Sequence, residues 1–296
     1  MSNNSVIKEE NGQMSNNFVP LLSIVSSVLE TSNSEIVLDL SGAEHFSPFC
    51  VLALLVYLQK SKKRISFINE NPYLKEIAFA DFGIKSDEIR RTEFIAMMEG
   101  FSRKSILPIV SFPSTSMADD NDFVSTIVED LLVRQLGIGS NVAIGLKYVI
   151  EETLDNVTEH AQSPRGFILS RAYPECGLVD ICIADLGITL LGSYQRMRDN
   201  GIESDIEAIK AANRGISSKN LPEAENRGYG IYTSKRMLID GLKGEYTMIS
   251  GNSLYTKSSN VDKFYEFPEG LRFEGTIVGF RLHYMAPDFN YIQFVE

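Results

Sequence analysis

Apolar residues recur at helical spacing over residues 18–29 and then alternate with polar ones over 35–40, the signature of a helix followed by a short strand. Residues 49–60 are apolar almost throughout and predict a buried helix, and 64–68 predict a second strand. Residues 72–82 predict a further helix, with Gly83 standing where it would stop. Strands alternating with helices at this spacing predict a parallel or mixed sheet covered by helices, an α/β fold. Residues 92–105 read as a boundary, with 94–98 apolar enough to pack as a helix. Beyond it, 105–112 predict a strand, 119–136 a helix, and 140–161 a long helix capped by Ser140 or Asn141. On that long helix Leu146, Val149, Ile150, Leu154, Val157 and Ala161 form one apolar stripe, which predicts packing on a sheet. Strands are expected at 180–185 and 272–282, and helices at 206–212 and 232–240. The chain thus divides into a polar, frayed and disordered tail (1–17), a first unit (18–100) and a second (101–296).

Composition narrows the field. With 296 residues and 44% hydrophobic content, each unit can hold a core of its own. The net charge of −11, with no basic run longer than Lys62-Lys63-Arg64, argues against nucleic acid as the main partner. Residues 188–236 nevertheless carry eight basic against six acidic side chains, so a locally positive pocket is compatible with the acidic whole. Cys50, Cys176 and Cys182 lack ligand-like spacing and suit a reducing compartment. The first residues lack an apolar core, and the longest apolar run, 49–58, falls short of the roughly 20 residues a bilayer span needs. The expectation is a soluble cytoplasmic protein with no membrane partner.

Four segments carry candidate chemistry. Glu152 and Asn156 lie one helical turn apart, so a carboxylate able to activate a water or hydroxyl sits beside a carboxamide able to ligate a metal. A solvated helix face explains the same pair. Asp185 ends a strand and Gly187 follows, which suits a carboxylate accepting from an exocyclic amine, or an ordinary turn. Arg227-Gly228-Tyr229-Gly230-Ile231 precedes a helix, with Lys235 and Arg236 nearby. Glycines there let backbone N–H groups face phosphate oxygens, or form a flexible entry loop. Gly275-Thr276 opens the last long strand, where the threonine hydroxyl can reach the same carboxylate through water.

Taken in order, these segments resemble the GHKL superfamily, the ATP-binding Bergerat fold of gyrase, heat-shock-90 chaperones, histidine kinases and MutL-type proteins. Glu152-x-x-x-Asn156-x-x-x-His160 matches its N box, Asp185-x-Gly187 its adenine box, Gly228-x-Gly230 its phosphate box and Gly275-Thr276 its terminal strand. The resemblance covers about 105–285 and implies a two-layer α/β sandwich binding ATP and Mg²⁺. By position, Glu152 is then the catalytic base or water orienter and Asn156 the Mg²⁺ ligand. Asp185 and Gly187 take the adenine, with Arg227, Gly228, Tyr229, Gly230 and Ile231 at the phosphates and Thr276 beside the base. Thr189 departs from the family's second glycine, and residues 193–215 correspond to the lid. The stretch Ile36-Val-Leu-Asp39-Leu-Ser41-Gly42, followed by 48–55, resembles the STAS domain of anti-sigma-factor antagonists over about 35–85. Pro48 or Phe49 stands where that family has its acceptor serine, with Ser47 beside it. The combined resemblance implies an ATP-binding regulatory protein with slow hydrolysis and a protein partner of STAS or sigma/anti-sigma type. It also admits a serine kinase of anti-sigma-factor type acting in trans, or a non-hydrolysing nucleotide-dependent scaffold. It is compatible with a homodimer.

Overall fold

Ten of the thirteen residues of helix Pro48–Lys60 are buried, and a helix apolar on all sides must be covered on all sides. That requirement organises the molecule. The computed structural model describes residues 18–41, 46–114, 118–160, 162–196, 201–216, 230–285 and 289–295. The tail read at 1–17, part of the loop after β1, part of the lid stretch, and Arg227, Gly228 and Tyr229 lie outside them.

The chain opens with α1 (Phe18–Glu30), β1 (Glu35–Asp39), α2 (Pro48–Lys60), β2 (Arg64–Ile68), α3 (Pro72–Glu76), β3 (Ile84–Lys85) and α4 (Arg91–Glu99). Next come β4 (Ile106–Pro113), α5 (Ala118–Leu136), α6 (Ser140–His160), β5 (Arg165–Tyr173) and β6 (Leu178–Asp185). Short α7 (Leu190–Tyr194), α8 (Asp205–Asn213) and α9 (Gly230–Arg236) follow, and α9 runs on as a π-helical turn, Met237–Gly241. Strands β7 (Glu245–Gly251), β8 (Ser253–Lys257), β9 (Asp262–Glu266) and β10 (Phe273–His283) and a last turn, α10 (Ile292–Val295), complete it.

The fold is mixed α/β. Eight strands form one sheet in the order β3-β4-β5-β6-β10-β7-β8-β9, antiparallel except for the parallel pair β3–β4. Strands β1 and β2 make a separate parallel pair. Because side chains alternate across a sheet, β6 sends Val179, Ile181 and Ile183 into one cluster with Leu146, Val149, Ile150 and Leu154 of α6. Its other face sends Cys182 and Ala184, with Phe167, Leu169 and Ile277, against Leu52 and Leu55 of α2 and Phe18 of α1.

Helices therefore cover both faces. Helices α5 and α6 pack on one face and α1 and α2 on the other. One apolar cluster takes residues from both 18–100 and 101–296, and β3 joins the large sheet. The helix expected over 72–82 ends at Glu76, since the chain turns through positive φ at Ala78, Phe82 and Gly83.

Each Leu, Val or Phe of α2 contributes about 1.5–3 kcal/mol by burial, and the sheet face beneath it is equally apolar. Residues 101–296 produced alone are accordingly expected to aggregate or to unfold without a cooperative transition. A soluble fragment with a sharp thermal transition would show that the α2 layer is dispensable to the sheet.

Candidate functional site

The Asp185 side chain is 2% exposed and stands at the end of β6 on the α6 face. Its Oδ1 accepts the N–H of Gly187 at 2.7 Å and its Oδ2 the N–H of Thr276 at 3.1 Å. Gly275 makes the second bond possible. It sits at a register break in β10 with φ +78, and a Cβ there would lie 2.3 Å from the Asp185 carbonyl oxygen and 2.6 Å from Oδ1. Burial pushes the carboxyl up to about 7, against the downward pull of the Gly187 and Thr276 N–H groups and of the Lys60 charge. Each oxygen keeps a second lone pair, so an ionised Asp185 still has acceptor sites to offer.

Side chains around it are tied in turn. Ser250 Oγ lies 3.2 Å from Thr276 Oγ1 and accepts the N–H of Leu190 at 2.9 Å. Ser163 Oγ accepts the N–H of Leu186 at 2.9 Å, which fixes the residue between Asp185 and Gly187. Neither serine has a sequence signal that separates it from an ordinary turn or strand residue.

Gly166 pairs with Asp185 across β5 and β6. A Cβ on Gly166 would meet the Phe112 ring at 2.3 Å and Val157 at 2.9 Å. The missing side chain lets α6 come down on the sheet beside Asp185, bringing Asn156 and Glu152 along the same helix. Asn156 Nδ2 donates to the Glu152 carbonyl at 2.6 Å, which turns its Oδ1 into the atom that can accept or ligate.

The other end of the site is set by α6 against α9. Where Gly230 would carry a Cβ, the Glu152 carboxylate stands: the added atom would be 1.7 Å from Oε2. Tyr148, one turn before Glu152, has its hydroxyl raised by burial first and by the Glu152 charge second, and it hydrogen-bonds Thr233 of α9. The Glu152 carboxylate and Gly230 are therefore neighbours.

Lys235 Nζ donates to the Asn213 carbonyl at 2.8 Å, at the C-terminus of α8, and lies over the Tyr232 and Tyr255 rings. Burial pulls it down to about 8. Arg236 stacks over Tyr232 and Phe294. Thr189 is the N-cap of α7 at φ −70 and accepts the N–H of Gly192. That is a conformation in which glycine has no advantage.

Ile231 packs half-buried between α8 and the main core. Arg227, Gly228, Tyr229 and the side chain of His160 lie outside the described residues. Ser47, 7% exposed, caps α2 through the N–H of Cys50. Among the described residues no three His, Cys, Asp or Glu side chains converge on a metal-sized site, and no helix is long and apolar enough to cross a membrane. A pocket of about 440 Å³ between α4 and α5, rimmed by the Glu99–Arg134 ion pair, shares no residue with this cluster. No protein-family model and no curated relative matches the chain.

Proposed function

We propose that this chain binds ATP with magnesium on the α6 face of its sheet, in the manner of the GHKL proteins its motifs resemble, and acts as a regulatory switch with slow hydrolysis. What carries the reading is the Asp185 carboxylate, a single buried side chain on which Gly187, Gly275 and Thr276 converge from separate parts of the chain. The abutment of Glu152 on Gly230 supports it from the other end. In this reading Asp185 accepts from the exocyclic amine of adenine. Glu152 takes the proton of the attacking water, and the N–H groups at the start of the α9 helical run face phosphate oxygens.

The donor set suits magnesium of the kind carried by phosphates: one carboxamide oxygen from Asn156 and a nearby carboxylate, where an all-protein cage would need more. When bound, the ion would neutralise charge on the phosphates. Asn156 would hold it.

A protein partner of STAS type, and transfer to a partner's serine in place of water, are extensions of the same site. Phosphorylation of the chain's own Ser47 is disfavoured, because that hydroxyl is buried and caps α2.

Thermal unfolding tests the reading. Magnesium ATP at about a hundred times its Kd is expected to stabilise by about 2.7 kcal/mol, raising Tm by roughly 5 °C. No shift with ATP, or an equal one with GTP, would count against adenine recognition through Asp185.

A further inference from the structure

Helix α8, in the stretch that corresponds to the lid, is bolted to the sheet at its first residue. Asp205 is 4% exposed. Its carboxylate accepts from Arg272 Nη1 at 2.6 Å and Nη2 at 3.3 Å, and from the N–H of Asn252 at 3.1 Å. Gly251, at φ +65, makes room: a Cβ there would lie 2.1 Å from the Asp205 carboxyl carbon. The same Arg272 Nη2 also donates to Thr189 Oγ1 at 3.3 Å. One guanidinium thus bridges the start of α8 and the end of the loop that leaves Asp185.

That loop is short, and its Gly187 N–H is the donor that holds Asp185 Oδ1. Displacing Thr189 therefore moves a group bonded to the base-recognition carboxylate. A planar fork suits this bridging, since its donors point to two acceptors at once. An ammonium is a point charge that can satisfy Asp205 while abandoning Thr189. Asp205 is too buried to be left without its cation.

We propose that Arg272 is a positioning residue that joins the loop after Asp185 to helix α8, so that the base site and the lid helix order as one unit. The consequence for nucleotide binding rests on the ATP reading above; the mechanical coupling does not.

Hydrogen exchange on the full chain, read by peptide with and without magnesium ATP, tests both separately. Without nucleotide, Arg272→Met is expected to raise exchange about fivefold, the factor of one lost hydrogen bond, in peptides covering 186–192 and 205–213 together. Arg272→Lys is expected to raise it in 186–192 alone. Should Arg272→Met fail to fold, Thr189→Val serves: it keeps the Arg272–Asp205 pair, and because it also uncaps the Gly192 N–H within 186–192, the coupling is read from the ATP protection of α8. With magnesium ATP, wild type is expected to gain protection in both peptides and Thr189→Val in the first only.

If Arg272→Met loosens α8 without the loop, or if Thr189→Val leaves the ATP protection of α8 as in wild type, the coupling is overturned. If the variants behave as expected without nucleotide but ATP protects nothing in wild type, the coupling stands and the nucleotide reading is what fails.

Discussion

Asp185→Asn is expected to weaken ATP binding about a hundredfold and to remove its pH dependence. The carboxamide can give one of the two backbone N–H groups an oxygen, but it sets its own N–H₂ against the other and presents a donor to an adenine amine. Losing an acceptor that is ionised when it binds costs about 2–3 kcal/mol, or roughly two decades in Kd. The pH argument follows from the carboxyl's value of about 7 against an ordinary 3.8. An amine donor prefers the ionised form, so in wild type binding strengthens by up to about tenfold per unit as pH rises toward 7, then levels off. Titrating both proteins from pH 6 to 8 checks this, because the nucleotide's own titration is common to both. The sign for folding is opposite. The native state keeps this proton where the unfolded chain has lost it. The contribution of Asp185 to stability is therefore greatest below about pH 4 and is lost as pH rises to about 7. A wild-type affinity that is flat or falling over the same range, or an Asn variant that binds ATP as well as wild type, would separate Asp185 from the base.

Gly230→Ala is expected to leave the fold intact and ATP bound while lowering turnover by at least about tenfold, and by as much as the 10²–10⁴ that a general base contributes. Gly230 is the first residue of α9, and alanine is at least as good a helix former as glycine. The obstacle is the Glu152 carboxylate, which occupies the space a Cβ would need at 1.7 Å. The added methyl displaces the base without touching its chemistry. Glu152→Gln should match the turnover loss with the geometry preserved, and the double variant should be little worse than either alone, as for residues acting as a unit. Additive losses would mean that the two positions act independently. An unchanged rate in Gly230→Ala would mean that Glu152 is not the base.

The long helix α6 and the strand ending at Asp185 were legible because each carries a clean period, an apolar stripe in one and an apolar run closed by a charge in the other. Gly275 and Gly230 stand where a side chain would collide with Asp185 and Glu152. What covers α2 was not legible. Its even apolarity says that it is buried, and nothing local says that β5, β6 and β10 are the surface it meets. Strands β3, β5, β7, β8 and β9 were not legible; β8 and β9 lie toward a sheet edge and mix Ser, Thr, Lys and Asp with their aromatics, blurring the alternation. The partner of Lys235 was not legible, because the carbonyl it meets at the end of α8 lies far from it in sequence. The Arg272–Asp205 pair joins residues 67 apart, and no spacing rule reaches that far.

The most direct measurement is a calorimetric titration of magnesium ATP into the full-length wild-type chain at pH 7.5. The expected result is saturable binding of one nucleotide per chain, competed by ADP and weakened about a hundredfold in Asp185→Asn. An absence of saturable heat, or binding that the Asp185→Asn chain retains in full, would contradict it.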